Sequence, residues 1–502
     1  MKGQREYRLI EGVALFLACI AIQINSEVLA QWGFFFYCPA EDTGQTIYAT
    51  VGLAGALLIL GLLTDAFSDP FIGLWSDRTR TKASWRRIIP ISGRRRPFIF
   101  WGSIGLTFTG IAFWFPPVDG TSVYNFIYAS VIVCLHSAFF FTIVAIPFNS
   151  LGPELARSDQ TRVRLGNWIA AGMIVGLAVA VVLPGYLIEA LDPLPQAAAV
   201  PEAVALVADA PSSAVPLPPP ESQAEEGPRI ISPVGYQRMA MVFAVVSLVL
   251  LQFVVWTVRE RHDSQLAPAH TPSLTVLFQA LSNKLFLRYA AVFFLFNIGL
   301  LGVQRVLPHW VQLALDGSPK MVSQLMAPFI VMALVALVFM PALSKRVPIK
   351  WLFFASLTIM AVALPFMYPI AVMEASTKTK MLMSATLFGF CGIGQGMLYV
   401  LLTPLIGQII DLDAARTGER REAAYQALHG FNWKASQALA LLVAAMSMKF
   451  LGNSMQAPWG VYVLGPLAGV FGLIGMGVCF NYPVIRATKP GVIETVEAEA
   501  LE

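Results

Sequence analysis

Residues 63–79 read LTDAFSDPFIGLWSDRT. Asp65 and Asp69 fall near the end of what is otherwise an apolar, bilayer-length helix, and residues four apart share a helix face. A carboxylate in hydrocarbon costs several kcal/mol, so acids at such positions are rare and mark ion or substrate pathways. Whether this is a membrane helix turns on the surrounding composition. Of 502 residues, 57% are hydrophobic and only 13% are charged. A soluble domain carries roughly 25% charged residues, and the mean hydropathy here is +0.66. The chain belongs in lipid.

Apolar runs of about 20 residues match a hydrocarbon core roughly 30 Å thick. Twelve such runs are centred near residues 25, 58, 107, 135, 178, 247, 298, 331, 360, 395, 440 and 471. The expected fold is therefore all-α and integral to the membrane, with twelve transmembrane helices. The first run is too long for a cleavable signal peptide. Lys and Arg in short loops set the orientation. The loop after span 2 carries Arg78, Arg80, Lys82, Arg86, Arg87, Arg94, Arg95 and Arg96, whereas the loops at 38–46 and 117–123 carry none. Both termini are expected in the cytoplasm of a multi-pass cell-membrane protein. The net charge of +4 follows from this bias, so nucleic acid is not an expected partner. The five cysteines show neither metal-ligand nor redox spacing.

Two other segments divide the chain. Residues 191–233 hold ten prolines and six acids with one basic residue, a composition that cannot pack a core. They read as an outer-face insert between spans 5 and 6. Residues 259–283 connect two six-span halves, 1–258 and 284–485, leaving 486–502 as a cytoplasmic tail. A six-plus-six hydropathy pattern is typical of carriers built from paired repeats, with the solute site between the halves at mid-membrane.

Asp65 and Asp69 can offer oxygens to one small cation, with Ser68 beside them and a carbonyl freed by Pro70. The plainer alternative is that Asp69 and Asp77 are solvated at the helix end or paired with loop arginines. Several stretches bear on the choice. DAFSDPFIGLWSDRT is followed by GRRRPF; span 4 ends TIVAIPFNSLGPEL; IIDLDAARTGERREAAY follows span 10; span 11 carries FNWKASQA. In this order they resemble the glycoside–pentoside–hexuronide:cation symporters, the melibiose-permease branch of the major facilitator superfamily, across nearly the whole chain. The resemblance implies a cation site at Asp65, Asp69 and Thr142, with Ser68 in place of a frequent asparagine. It also implies that Lys434 lies near the two acids, beside Trp433. A lysine there must otherwise snorkel to the interface.

The same resemblance exposes departures. The acid expected on helix 4 falls at Ala145, and the one on helix 1 matches Gln23. An arginine expected on helix 5 falls near Ile169, and Gln408 stands where an acid is common. Sugar hydroxyls favour charged, bidentate acceptors, so the cation machinery looks kept while the sugar grip is weakened. The lysophospholipid symporters of the same branch share that combination. The candidate solute residues are Gln23 and Glu27, four apart on span 1, the Ala145 position on span 4, Arg305 on span 7, and Trp433 and Lys434 on span 11. Glu27 reads equally as a proton carrier or a hydrated interfacial acid, and Arg305 as an anion ligand or an anchor. Gly73, Asp77 and Arg78 with Arg94, Arg95 and Arg96, and Asp411 with Arg420 and Arg421, resemble the superfamily's charge relay, a conformational latch at helix ends.

These readings imply a monomeric symporter whose partners are a monovalent cation, Na⁺ or H⁺, a small solute and the bilayer, with no cofactor. A glycoside-like solute stands first and an amphiphile such as a lysophospholipid second. An intramembrane prenyltransferase, which DxxxD and IIDLD could suggest, would need further aspartates at set spacing. No Walker A motif is present.

Overall fold

The computed structural model describes residues 8–78, 95–155, 159–193, 232–258, 274–419, 421–482, 485–489 and 492–495. The first half contains α1 (Leu9–Tyr37), α2 (Val51–Arg78), α3 (Arg96–Ala112), α4, α5 (Asp159–Leu191) and α6 (Pro233–Thr257). Helix α4 is α-helical over Val123–Cys134 and Thr142–Leu155 and π-helical over Leu135–Phe141 between them. The second half contains α7 (Lys284–Leu315), α8 (Pro319–Leu343), α9 (Ile349–Ala363, extended by turns to Val372), α10 (Thr377–Thr417), α11 (Glu422–Leu451) and α12 (Leu464–Phe480). Each of the twelve expected centres falls inside one of these helices.

Eleven of them are long and apolar enough to cross a bilayer. The twelfth, α3, has 17 residues and spans about 25 Å. It packs against α6 as the other spans pack against their neighbours. Local chemistry sets several of the ends. The Glu11 carboxylate accepts from the Arg8 N–H at 2.8 Å, and Asn283 caps α7 by accepting from Leu285 and Phe286 at 2.9 and 3.2 Å.

The packing repeats. Helix α1 lies on α5 and α6, and α3 on α6; in the second half α7 lies on α11 and α12, and α9 on α12. The halves meet along α2–α11, along α5–α8 and, more lightly, along α1–α7. Shifting every number by six maps this pattern onto itself, which is the relation expected of two repeats. Lipid tails are as apolar as the side chains, so helices associate here through close fit and small residues. Gly172 and Gly176 show the requirement on α5. A Cβ at either would come within 2.4 Å of the Phe16 carbonyl oxygen or 2.7 Å of Ile20 Cα on α1.

Hydrogen bonds between the halves gather at the face bearing loop 38–50. The Cys38 carbonyl accepts from His309 Nε2 at 2.7 Å, between the rings of Phe34 and Phe35. Glu41 N–H donates to the Asn453 carbonyl at 2.7 Å, and Ser318 Oγ donates to Glu189 Oε2 at 2.7 Å. This end of the molecule is closed. Nearby, Asp192 accepts from both the amide and the hydroxyl of Ser232 at 2.7 Å, which ties together the two ends of the proline-rich insert; the insert itself (194–231) lies outside the described residues.

One departure from an all-helical reading is a hairpin of β1 (Ile485–Lys489) and β2 (Val492–Thr495), antiparallel with Ile485 opposite Thr495. It lies beyond the last span, where β-branched residues recur and Pro490–Gly491 separates the strands in sequence.

Candidate cation and solute sites

Helix α2 carries Asp65 and Asp69 on successive turns of the seam with α11, and Lys434 approaches from α11. Its Nζ lies 3.0 Å from Asp65 Oδ2 and also donates to Asp69 Oδ2. Asp65 is the more deeply buried acid: its side chain is 12% exposed against 40% for Asp69. The π-helical turn ends just before Thr142, which points its hydroxyl into the same cluster. Thr142 Oγ1 lies 2.9 Å from Asp65 Oδ1 and 3.0 Å from the Ser137 carbonyl. Both neighbours are acceptors and the hydroxyl has one proton, so it serves one at a time. Ser68 turns away from the carboxylates and donates to the Asp65 carbonyl at 3.1 Å.

The arrangement puts a lysine ammonium where two carboxylates converge. Charges at this depth persist only when paired and hydrogen-bonded, and removing one member leaves an uncompensated charge worth about 3–5 kcal/mol when fully buried. Among the described residues no three His, Cys, Asp or Glu side chains gather as a metal site. The cluster is a two-carboxylate seat with a hydroxyl, chemically suited to a hard monovalent cation or a proton.

Trp433, next to Lys434 in sequence, stacks on Phe293 at 5.7 Å and lines a cavity between the halves. From the first half come Glu27 and Gln31 on α1, with Leu177 and Val181 on α5. From the second come Gln304 and Arg305 on α7, Gln395 and Tyr399 on α10, and Gln437 on α11. Helix α8 supplies an apolar wall that includes Met326, Phe329 and Ile330.

Of the expected solute residues, Glu27, Arg305 and Trp433 line this cavity, whereas Gln23, Ala145 and Lys434 do not. Gln23 shares the Glu27 face but lies where α1 crosses α5, and a Cβ at Gly176 would come within 2.9 Å of Gln23 Cβ. The close helix crossing removes it from the pocket. Lys434 is held in the carboxylate cluster instead. Gln31, Gln395, Tyr399 and Gln437 were not singled out from the sequence. Their signal is polar spacing by four in apolar helices: Glu27–Gln31, Gln395–Tyr399 and Trp433–Gln437.

The latch residues are only partly described. Arg94 and Arg420 lie outside the described residues, as do the side chains of Asp77 and Arg78; Gly73 lies within α2. Arg95 and Arg96 are buried. Arg96 Nε donates to the Val255 carbonyl at 2.6 Å, which fits a cation at the C-terminal end of α6. Arg421 lies 3.0 Å from Glu419 and 3.9 Å from Asp413, and Asp411 is exposed on α10. The Arg96–Val255 and Arg421–Asp413 contacts each tie helices within one half.

Two six-helix bundles around a cavity between them, with paired charges at their seam, define a membrane carrier. Comparisons agree. A family model described as MFS/sugar transport protein matches residues 19–464; the chain belongs to this family. It is 24% identical to the uncharacterized symporter sll1374 of Synechocystis, covering 89% of this chain and 90% of that one. Over 119 residues, 24% of each chain, it is 29% identical to the putative glycoside/cation symporter YagG of Escherichia coli. The crystal structure of a bacterial homolog of the human lysosomal transporter Spinster, inward-facing and unoccupied, aligns with a TM-score of 0.62 at 14% identity. It covers 95% of this chain and 97% of that one. The protein is a multi-pass membrane transporter of this family, not an enzyme.

Proposed function

We propose that the protein couples the downhill movement of a monovalent cation to uptake of an organic solute by alternating access. One observation carries this reading: Lys434 occupies the seat between Asp65 and Asp69, with Thr142 on Asp65. An arriving Na⁺ or H⁺ balances one carboxylate and frees Lys434 from bridging the pair, so that the two acids, the lysine and the cation sum to zero. That loosens α2 from α11 and lets the halves, 1–258 and 284–485, rock around the cavity. No resident cofactor is needed; the coupling ion does the work. Trp433 joins the two sites, because it lines the solute cavity while its neighbour holds the ion seat.

The relative named a glycoside/cation symporter supports a sugar-like solute. The apolar wall from α8 and the missing carboxylates favour a solute with an apolar body, such as an amphiphile. We place the carrier in the cell membrane as a monomer, with both termini in the cytoplasm.

The test is uptake into proteoliposomes under a Na⁺ gradient at fixed pH, then under a proton gradient at fixed Na⁺. A labelled glycoside and a labelled lysophospholipid compete in the same assay. One of them accumulates under one gradient, and folded Asp65→Asn protein accumulates neither. Normal concentrative uptake by Asp65→Asn overturns the proposal.

A further inference from the structure

We infer that the solute is a zwitterion, with an anionic group for Arg305, a cationic group for Glu27 and an apolar body between helices α5 and α8. The inference rests on the carrier reading above. Glu27 is on α1 and Arg305 on α7, the helices that correspond under the shift by six, so each half contributes one charge of opposite sign to one cavity. Among the described residues no ion pair joins the two.

Arg305 is 8% exposed, and its hydrogen bond runs to the neutral Gln437 Oε1 at 3.4 Å, beyond the usual range. The Glu27 carboxylate acts on Arg305 across the cavity but forms no ion pair with it, so the guanidinium has no anion in contact, and a planar anion such as a phosphate or carboxylate is what its fork fits. The opposite need appears on the other side. Gln31 Oε1 and Gln395 Oε1 are buried in the cavity wall without a donor. Together with the Glu27 carboxylate they form a set of acceptors suited to an ammonium with several N–H groups.

A neutral sugar satisfies the amides but leaves Glu27 and Arg305 to balance each other only across the cavity, with no partner in contact. A simple anion leaves Glu27 unmatched, and a simple cation leaves Arg305 unmatched. A molecule with both groups matches the two charges at once and bridges the two halves, as closure around a solute requires. Met326, Phe329 and Ile330 then cover its apolar part.

The experiment holds the tail constant and varies the head. Hexyl phosphoethanolamine, hexyl phosphate, hexylammonium and hexyl glucoside are each measured by equilibrium dialysis against the full chain in nanodiscs, without any gradient. The phosphoethanolamine binds at least about tenfold more tightly than the other three, or ~1.4 kcal/mol. Arg305→Gln lowers its affinity to that of hexylammonium, Glu27→Gln lowers it to that of hexyl phosphate, and Arg305→Lys keeps the order of heads. Equal or tighter binding of hexyl glucoside overturns the inference. So does a head preference that survives both neutral substitutions in folded protein. Because binding needs no gradient, absent uptake with an intact head preference defeats the carrier reading alone. Gradient-driven glucoside uptake without a head preference defeats the zwitterion alone.

Discussion

The two long seams between the halves, α2–α11 and α5–α8, are exchanged by the repeat relation, yet they hold together by different physics. The first is charged at its centre, with Asp65 and Asp69 around Lys434. The second is a close steric fit: a Cβ on Gly185 would lie 2.1 Å from the Pro319 carbonyl oxygen and 2.3 Å from Ser323 Oγ. One hydrogen bond, Ser318 to Glu189, closes its end. Equivalent places in a duplicated fold thus divide the labour. On the proposed reading one seam senses an ion, because its contacts are electrostatic and exchangeable. The other can only slide or separate, because packing contacts lose their value within an ångström.

Breaking the charged seam gives the largest effect. Lys434→Gln removes the cation's rival and leaves two carboxylates facing each other. Cation affinity rises by about 1–3 kcal/mol, the usual scale of coupling between ligands, while coupled uptake is lost. Sodium titration of thermal stability reads the affinity; an unchanged value would mean that Lys434 does not compete for the seat.

Breaking the steric seam comes next. Gly185→Val overpacks α5 against α8 at a cost of about 1–3 kcal/mol and holds the closed face ajar. A cysteine introduced at Gln312, near the inter-half contacts of that face, then labels faster with an impermeant thiol reagent in the variant. Equal labelling rates would show that this seam does not govern the face.

Smaller changes sharpen the contrast. Thr142→Val removes one hydroxyl from Asp65 and weakens cation dependence by about 1 kcal/mol, read as a several-fold rise in the cation concentration for half-maximal uptake. Ser318→Ala deletes a partly buried bond to Glu189, shifting the closed face by about 0.5–1.5 kcal/mol. The same labelling assay should register it as milder than Gly185→Val, and no cation dependence should change.

How much of this was readable without a structure follows the same divide. Charges in a bilayer are so costly that Asp65, Asp69 and Lys434 stand out from the sequence, and twelve apolar runs settle the span count. The cavity was harder to see. Glu27, Gln23 and Gln31 lie at spacings of four on one helix, and only the crossing of α1 over α5 separates the one against Gly176 from the two that face the pocket. Met326, Phe329 and Ile330 were invisible for another reason. An apolar residue facing a solute cannot be told by type from one facing lipid, since both environments reward the same side chains. The arginine contacts were hard to read for a related reason: loop charge shows which side of the membrane a loop occupies, but not which helix end it reaches.

The triad also decides where an electric field can do work. With both carboxylates ionised, Asp65, Asp69 and Lys434 together carry a charge of minus one; a bound monovalent cation brings the site to zero. A membrane potential supplies about 2.3 kcal/mol per charge per 100 mV, and it acts on moving charge. With a neutral or zwitterionic solute, on this reading, the loaded crossing is electrically silent and the empty return is the voltage-driven step. A negative interior then expels the bare site outward and resets the carrier rather than pushing its cargo. Transient currents recorded without solute, and their loss in Asp65→Asn, would register that reset directly.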